Sequence, residues 1–317
     1  MATPTLYHAP SSFFSQRARL AFEEKKLKYR SVEIAIMAQE QLQPWYARIH
    51  PLMTVPGLAL DTGTHFIDSE SIIGYLDQIT PELPPLFLSE KTPEGQKCNH
   101  YLRLFKTIPI EFITFGTFMD MQYSQGTKLG MKPAFIIKQI HASIEVCQRY
   151  SEKYKDLRYE YLNKATALTT RLEVIKDTST LKDHLDHVEK ILTEIDEELG
   201  KNTKECQDLQ EDQKPWLCGG HFNVADIYLA TILHRLSFVG YSHFWSNGNR
   251  PQIEQYYQRV LQRDSFRRSC LLANDTFWAV KWPTMKYKLK CLLPKFLGTT
   301  AVASAVIVGA YIYFKRH

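Results

Sequence analysis

The chain has 317 residues and a mass of 36.9 kDa, room for about two domains, and 44% of its residues are hydrophobic, which excludes wholesale disorder. Only residues 296–314 run nineteen positions without a charge, which excludes a polytopic membrane protein. The net charge of +5 does not indicate nucleic-acid binding: from Lys281 onward there are seven Lys or Arg and no Asp or Glu, leaving 32 basic against 34 acidic residues upstream.

The first twenty-two residues hold two arginines, several serines and no acid, the composition of a transit peptide. "TPTLYHA" nevertheless reads as a strand over Thr5 to Ala9, and "SQRARLAFEEKK" as a helix from about Ser15 through Glu23 and Glu24, so the segment is a first β-α pair. Val32, Ile34 and Ile36 alternate as a second strand, followed by a short helix interrupted at Pro44. "VPGLAL" and "HFI", joined by "DTGT", form a hairpin, and "SESIIGYLDQI" is an amphipathic helix. The order β-α-β-α-β-β-α is the thioredoxin arrangement, assigned here to residues 1–82. "TPELPPLFLSEKTP" carries four prolines and no periodicity, which places a linker at 83–93.

Residues 94–280 are helical almost throughout. Leu181, Leu185, Val188, Leu192, Ile195 and Leu199 repeat as a heptad face, predicting one helix packed in a bundle. Residues 145–180 are dense in charge and tyrosine. They are expected to form a long, exposed helix or a partly mobile insertion, usable as a surface for protein partners. Residues 281–295 form a basic juxtamembrane segment. After it, Phe296 to Phe314 as a helix would be roughly 28 Å long, close to a hydrocarbon thickness of about 30 Å. That predicts a single C-terminal transmembrane anchor, with the folded domains left in the cytosol. Six cysteines without CxxC spacing or a signal peptide read as reduced cytosolic thiols.

The chemistry concentrates in three short stretches. "HAPSSFFSQRAR" places Ser11, Ser12 and Ser15 at a strand-to-helix junction, where free backbone N–H groups and the positive helix end stabilise an anion. A hydroxyl there can donate to a ligand's thiolate and lower its pKa, or it can simply cap the helix. "HPLMTVPGL" puts Val55 and Pro56 at a strand start, where proline is tolerated on an edge or after a cis bond. "DSESIIGYL" puts Asp68 and Ser69 at a helix N-terminus, a place for a carboxylate, with Asp68 able to pair an amine. An α-amino acid offers both groups, as the γ-glutamyl end of glutathione does. His184 and His187 sit one turn apart without a further ligand, and no metal site is assigned.

These residues resemble a cytosolic-type glutathione transferase over residues 4–90 and more loosely to about 280. The resemblance implies a thioredoxin-like N-terminal domain joined to an all-α C-terminal domain, with glutathione as ligand or co-substrate. Ser12, and Ser15 second, would activate sulfur; Val55 and Pro56 would hold the cysteinyl part; Asp68 and Ser69 would hold the glutamyl group. Asn223 and Asp226 in "FNVADIYLA" match the family's N-capping box. His50, Met53 and Thr54 stand where the family often has Asn, Gly and Lys, which removes a contact to the glycyl carboxylate. "SQRARLAFEEKKLK", "CGGHFNVADIYLATILHRLSFVG", "RPQIEQYYQRVLQR" and the tail together resemble the ganglioside-induced differentiation-associated protein family. That likeness implies a mitochondrial outer-membrane address shared with peroxisomes, a role in mitochondrial fission and glutathione-linked redox state, and transferase activity that is weak or absent. The alternative is a working transferase that conjugates electrophiles. A homodimer is a further expectation, since transferases pair through both domains.

Overall fold

The computed structural model describes residues 3–205, 215–271 and 277–296. The N-terminal half runs β1 (Thr5–His8), α1 (Phe13–Glu24), β2 (Arg30–Glu33), two 3-10 turns (Ile36–Ala38 and Glu40–Leu42) and α2 (Pro44–Ala47). It then continues with β3 (Gly57–Ala59), β4 (His65–Phe66) and α3 (Ser69–Gln78). The sheet order is β2-β1-β3-β4, with β1 and β2 parallel and β3 antiparallel to both β1 and β4. This is the thioredoxin-like arrangement read from the sequence, with two boundaries shifted. The second strand stops at Glu33 because the Ile36 N–H turns back to the Ile34 carbonyl at 2.9 Å. The third starts at Gly57 rather than Val55, since Pro56 has no N–H to give to a ladder.

The helical half comprises α4 (Pro93–Lys106), α5 (Ile110–Met119), α6 (Pro133–Lys153), α7 (Arg158–Lys176) and α8 (Leu181–Glu205). Beyond it lie α9 (Val224–Phe238), α10 (Pro251–Gln262), α11 (Asp264–Ser269), a π turn (Phe277–Lys281) and α12 (Trp282–Phe296). All six heptad residues of α8 are buried. Asn223 and Asp226 form the expected capping box on α9, and Asp226 also accepts from Leu217 N and Tyr256 Oη, both at 3.0 Å.

The charged insertion is not a single exposed helix. It is a hairpin of α6 and α7 folded back through residues 154–157, and α7 buries Tyr161, Ala165, Leu168, Leu172 and Ile175 in a 4-3-4-3 stripe. Charge on the other faces masked that stripe. The hairpin docks on the N-terminal half: Tyr161 Oη donates to the Leu42 carbonyl at 2.8 Å and Lys164 Nζ to the Leu52 carbonyl at 2.9 Å. Gln39 Nε2 meets Ser143 Oγ at 3.1 Å. Tyr161→Phe is expected to cost about 1 kcal/mol, because it strands a buried carbonyl without changing ring packing. Urea unfolding of the two proteins measures the difference.

The segment expected to be a basic juxtamembrane stretch is α12. It does not hang free: its buried Pro283, and buried Ala279 in the π turn just before it, face the Ile36–Ala38 turn. Among the described residues no helix is long and apolar enough to cross a membrane. The anchor expected at 296–314 lies, apart from Phe296, outside the described residues.

Candidate functional site

Ser12 is the N-cap of α1, and its Oγ accepts from the Ser15 N–H at 3.4 Å while the residue stays half-buried beside the helix mouth. The capping reading of this serine is observed, and its hydroxyl hydrogen is not used in that bond. Ser12→Ala should lower stability by about 1 kcal/mol through the lost cap, visible as a lower thermal midpoint. Ser15 is a correction. It is fully buried, and its Oγ accepts from the Ala9 N–H at 3.3 Å, so it braces the turn from inside and cannot touch a ligand's sulfur.

The Val55–Pro56 bond is cis, as the strand-start proline anticipated, and both residues are buried. Thr54, which replaces the family's lysine, turns its Oγ1 to His50 Nε2 at 3.2 Å, and its carbonyl accepts from Tyr46 Oη at 2.6 Å. Asp68 is the N-cap of α3; Oδ1 accepts from the Ser71 N–H at 2.8 Å and Oδ2 from the Ser71 hydroxyl at 2.5 Å. The carboxylate is exposed, so an amine can still reach it. Ser69, the first residue of α3, is buried.

The helical half adds residues that sequence reading missed. Arg235 Nη2 donates to the Ser11 carbonyl at 2.7 Å, and the Arg17 guanidinium lies 3.6 Å from the Tyr228 ring centroid with Nε on Thr231 Oγ1 at 3.2 Å. Burial pulls both arginines down to about 10, and among the described residues neither forms a salt bridge. Two guanidinium groups thus flank the turn that carries Ser11 and Ser12, adding positive potential to that of the helix end. Glu70, beside Ser69, accepts from Lys106 Nζ at 2.9 Å and Tyr228 Oη at 3.1 Å, tying α3 to the helical half. No local motif could reveal these partners, because the Arg17–Thr231 bond spans 214 positions.

Space on the Ser11 side of the turn is scarce. Ala9, Ser11 and the segment Ile34 to Met37 face Ala279, Val280, Pro283 and Thr284, and the gap between them holds about 10 Å³. That is about one water, against the 300 Å³ or so at the small end of ligand pockets. None of Ser12, Val55, Pro56, Asp68 and Ser69 lines this gap, which marks where residues 279–284 pack on the turn beside Ser11. A larger open groove of about 440 Å³ lies elsewhere, between α4 and α8, where Lys97, His100, Glu194, Glu198 and Lys201 largely pair with one another.

The family model for the glutathione S-transferase N-terminal domain matches residues 6–84, and that for the C-terminal domain matches residues 167–259. Ganglioside-induced differentiation-associated protein 1-like 1 of Homo sapiens is 28% identical over 98% of this chain and 84% of its own length. The chain belongs to the glutathione transferase-like ganglioside-induced differentiation-associated protein family. Within the wider group, glutathione S-transferase TCHQD of Arabidopsis thaliana is 24% identical, over 83% of this chain and 88% of that protein. Among solved structures, beta-etherase LigF from Sphingobium sp. strain SYK-6 gives a TM-score of 0.59 at 16% identity, covering 84% of this chain and 98% of that one. Ure2p in complex with glutathione gives 0.56 at 14% identity, covering 84% and 97%. At such identities the structures establish the fold, a transferase fold in which α6 and the first half of α7 lie between the two matched segments and the rest of α7 falls within the second.

Proposed function

We propose that this family member is held on the mitochondrial outer membrane by residues 296–314, with its domains in the cytosol and a share on peroxisomes. There it acts in mitochondrial fission, network shape and glutathione-linked redox state. Whole-length likeness to the ganglioside-induced differentiation-associated relatives supports this reading, as does the charge-free segment flanked by Lys295 and Lys315. The observation that carries it is the place of α12. The helix that leads into the apolar segment also covers the turn beside Ser12. Tether and glutathione site then form one mechanical unit, which suits a regulated binding protein better than a constitutive catalyst.

A working transferase is the second reading. Ser12 stands half-buried at a helix mouth beside Arg17 and Arg235, the setting a thiolate needs. An N-terminal fluorescent fusion, with and without residues 292–317, tests the address: a mitochondrial signal that turns diffuse on truncation is expected, and an unchanged pattern overturns the tether. Conjugation of a model electrophile by the full chain separates the two readings. Turnover abolished by Ser12→Ala favours the transferase over the binding protein.

A further inference from the structure

The peptide unit that joins Ser11 to Ser12 is held at both ends. Its N–H, on Ser12, donates to the Ala9 carbonyl at 3.0 Å, and its carbonyl, on Ser11, accepts from Arg235 Nη2 at 2.7 Å. A peptide unit is rigid, so it can only swivel as a plate about the line between its two Cα atoms. With both ends bonded that swivel is stopped, which fixes ψ at Ser11 and φ at Ser12, the latter at −76°. The φ of Ser12 in turn sets where its Cβ and Oγ point. Two further bonds of the turn come from α1: Ser15 Oγ accepts from the Ala9 N–H at 3.3 Å, and Gln16 Nε2 donates to the Pro10 carbonyl at 3.1 Å. They hold Ala9 and Pro10, one step short of the plate. Arg235 is itself firmly placed. It lies on α9, whose residues other than Ser237 are all buried, and its guanidinium carbon stands 5.2 Å from the Phe238 ring centroid. Arg17 differs, because its Nε goes to Thr231 Oγ1 and its guanidinium to the Tyr228 ring.

We propose that Arg235 is a positioning residue: by holding the Ser11 carbonyl it aims the Ser12 hydroxyl at the sulfur of a bound glutathione. The inference rests on the reading of Ser12 as the hydroxyl that meets that sulfur. The thiol of the tripeptide gives its proton to water, and the thiolate left behind accepts the Ser12 O–H. A hydrogen bond depends on direction as well as distance and weakens steeply as the angle at hydrogen falls. A swivel of the plate between Ser11 and Ser12 therefore deprives the thiolate of its donor while Ala9 and Pro10 stay in place. Because the clamp comes from α9, 224 positions along the chain, the aim of Ser12 depends on how the N-terminal half docks on the helical half.

The test follows the thiol of glutathione bound at saturation to the full chain, through the ultraviolet absorbance of the thiolate across pH. In the wild type that thiol is expected below the ordinary value of about 8.5. Arg235→Met keeps the length and the apolar contact but donates nothing, and should cut the bound thiolate at neutral pH about tenfold. S-methylglutathione has no ionisable sulfur, so its affinity should barely respond to the same substitution. An equal loss for both ligands means that Arg235 only supports the fold, and overturns the proposal. Arg235→Met placed on Ser12→Ala should add little, because the hydroxyl to be aimed is gone. A second tenfold loss there means that the guanidinium acts on sulfur directly, which also overturns it. Arg235→Lys is the milder change should the Met variant not fold: it keeps the charge on a shorter arm without the planar fork, and should show a smaller loss confined to the thiol. A wild-type thiol at its ordinary value removes the glutathione reading and this inference with it. A lowered wild-type thiol that Arg235→Met leaves unchanged removes the inference alone.

Discussion

Ending the chain at residue 271 is expected to raise its affinity for glutathione about a hundredfold over a chain ending at 296, as read by calorimetry. The gap between residues 279–284 and the turn at Ser11 has the volume of one water, and a tripeptide whose sulfur end reaches past Ser12 into that gap binds only the fraction of molecules in which the segment has lifted. That fraction depends on what holds α12 down. On this side the buried contacts are Ala279, in the π turn that precedes it, and Pro283 of α12 itself, flanked by Val280 and Thr284. Burial of so few carbons stabilises by roughly 2–3 kcal/mol, and about 2.7 kcal/mol is a hundredfold in affinity. Ala279→Arg in the full chain should act in the same direction, because a guanidinium at that buried position forces the helix away. Equal affinity for the two lengths would rule out α12 as a cover. If neither length binds, the glutathione reading itself is lost, and the hydroxyl of Ser12 is a cap and nothing more.

The sequence disclosed what short-range physics fixes. The strand reading of "TPTLYHA" located β1, alternation from Val32 pointed to β2 but not to its end at Glu33, the heptad located α8, and the Asn223–Asp226 spacing located the α9 cap, because each depends on residues a few positions apart. The two serines show how a small error travels. A helix expected from about Ser15 begins at Phe13, so the cap is Ser12, and Ser15, one turn further on, points inward beneath Ala9. The α6–α7 hairpin was read as solvated because Lys, Arg and Glu outnumber its stripe residues, and a stripe of five buried side chains is faint against that background. Arg17 and Arg235 looked like ordinary helix arginines; only the packing of α9 on α1 brings them to the turn at Ser11. The lysines of α12 pointed to lipid. Yet its small residues found a docking surface on the chain itself, and burial raises the Glu40 carboxyl there with Lys286 and Lys290 opposing.

Acidification from pH 7.5 to 5 is expected to remove about 5 kcal/mol of folding stability. Three buried histidines carry the effect. Burial pulls His8 and His234 down to about 3 and His50 to about 4, from an unfolded value of 6.5. His234 shows why: Nε2 donates to the Cys270 carbonyl at 3.2 Å and Nδ1 accepts from Tyr257 Oη at 3.1 Å, a pairing that only the neutral ring can make. The unfolded chain binds these protons first, so the contribution is complete above about pH 6.5 and drains away toward pH 3. At pH 5 each ring has cost roughly 2 kcal/mol, or roughly 6 in all. Asp226 works the other way. Burial raises it to about 6 from 3.8, so the fold takes up a proton there first and regains about 1.4 kcal/mol by pH 5. Glu40, also raised by burial, adds in the same direction. Urea midpoints across this range measure the slope, and His234→Gln should flatten it by about a third; a flat profile in the wild type would mean that the rings protonate in place. The window matters for ligand work. Above pH 6.5 these three buried rings are silent, so the part of any pH dependence of glutathione binding to the chain ending at 271 between 6.5 and 9 that Ser12→Ala removes reports the ligand's thiol at the Ser12 mouth. The loss of that dependence in Ser12→Ala separates a hydroxyl that donates to sulfur from one that only caps.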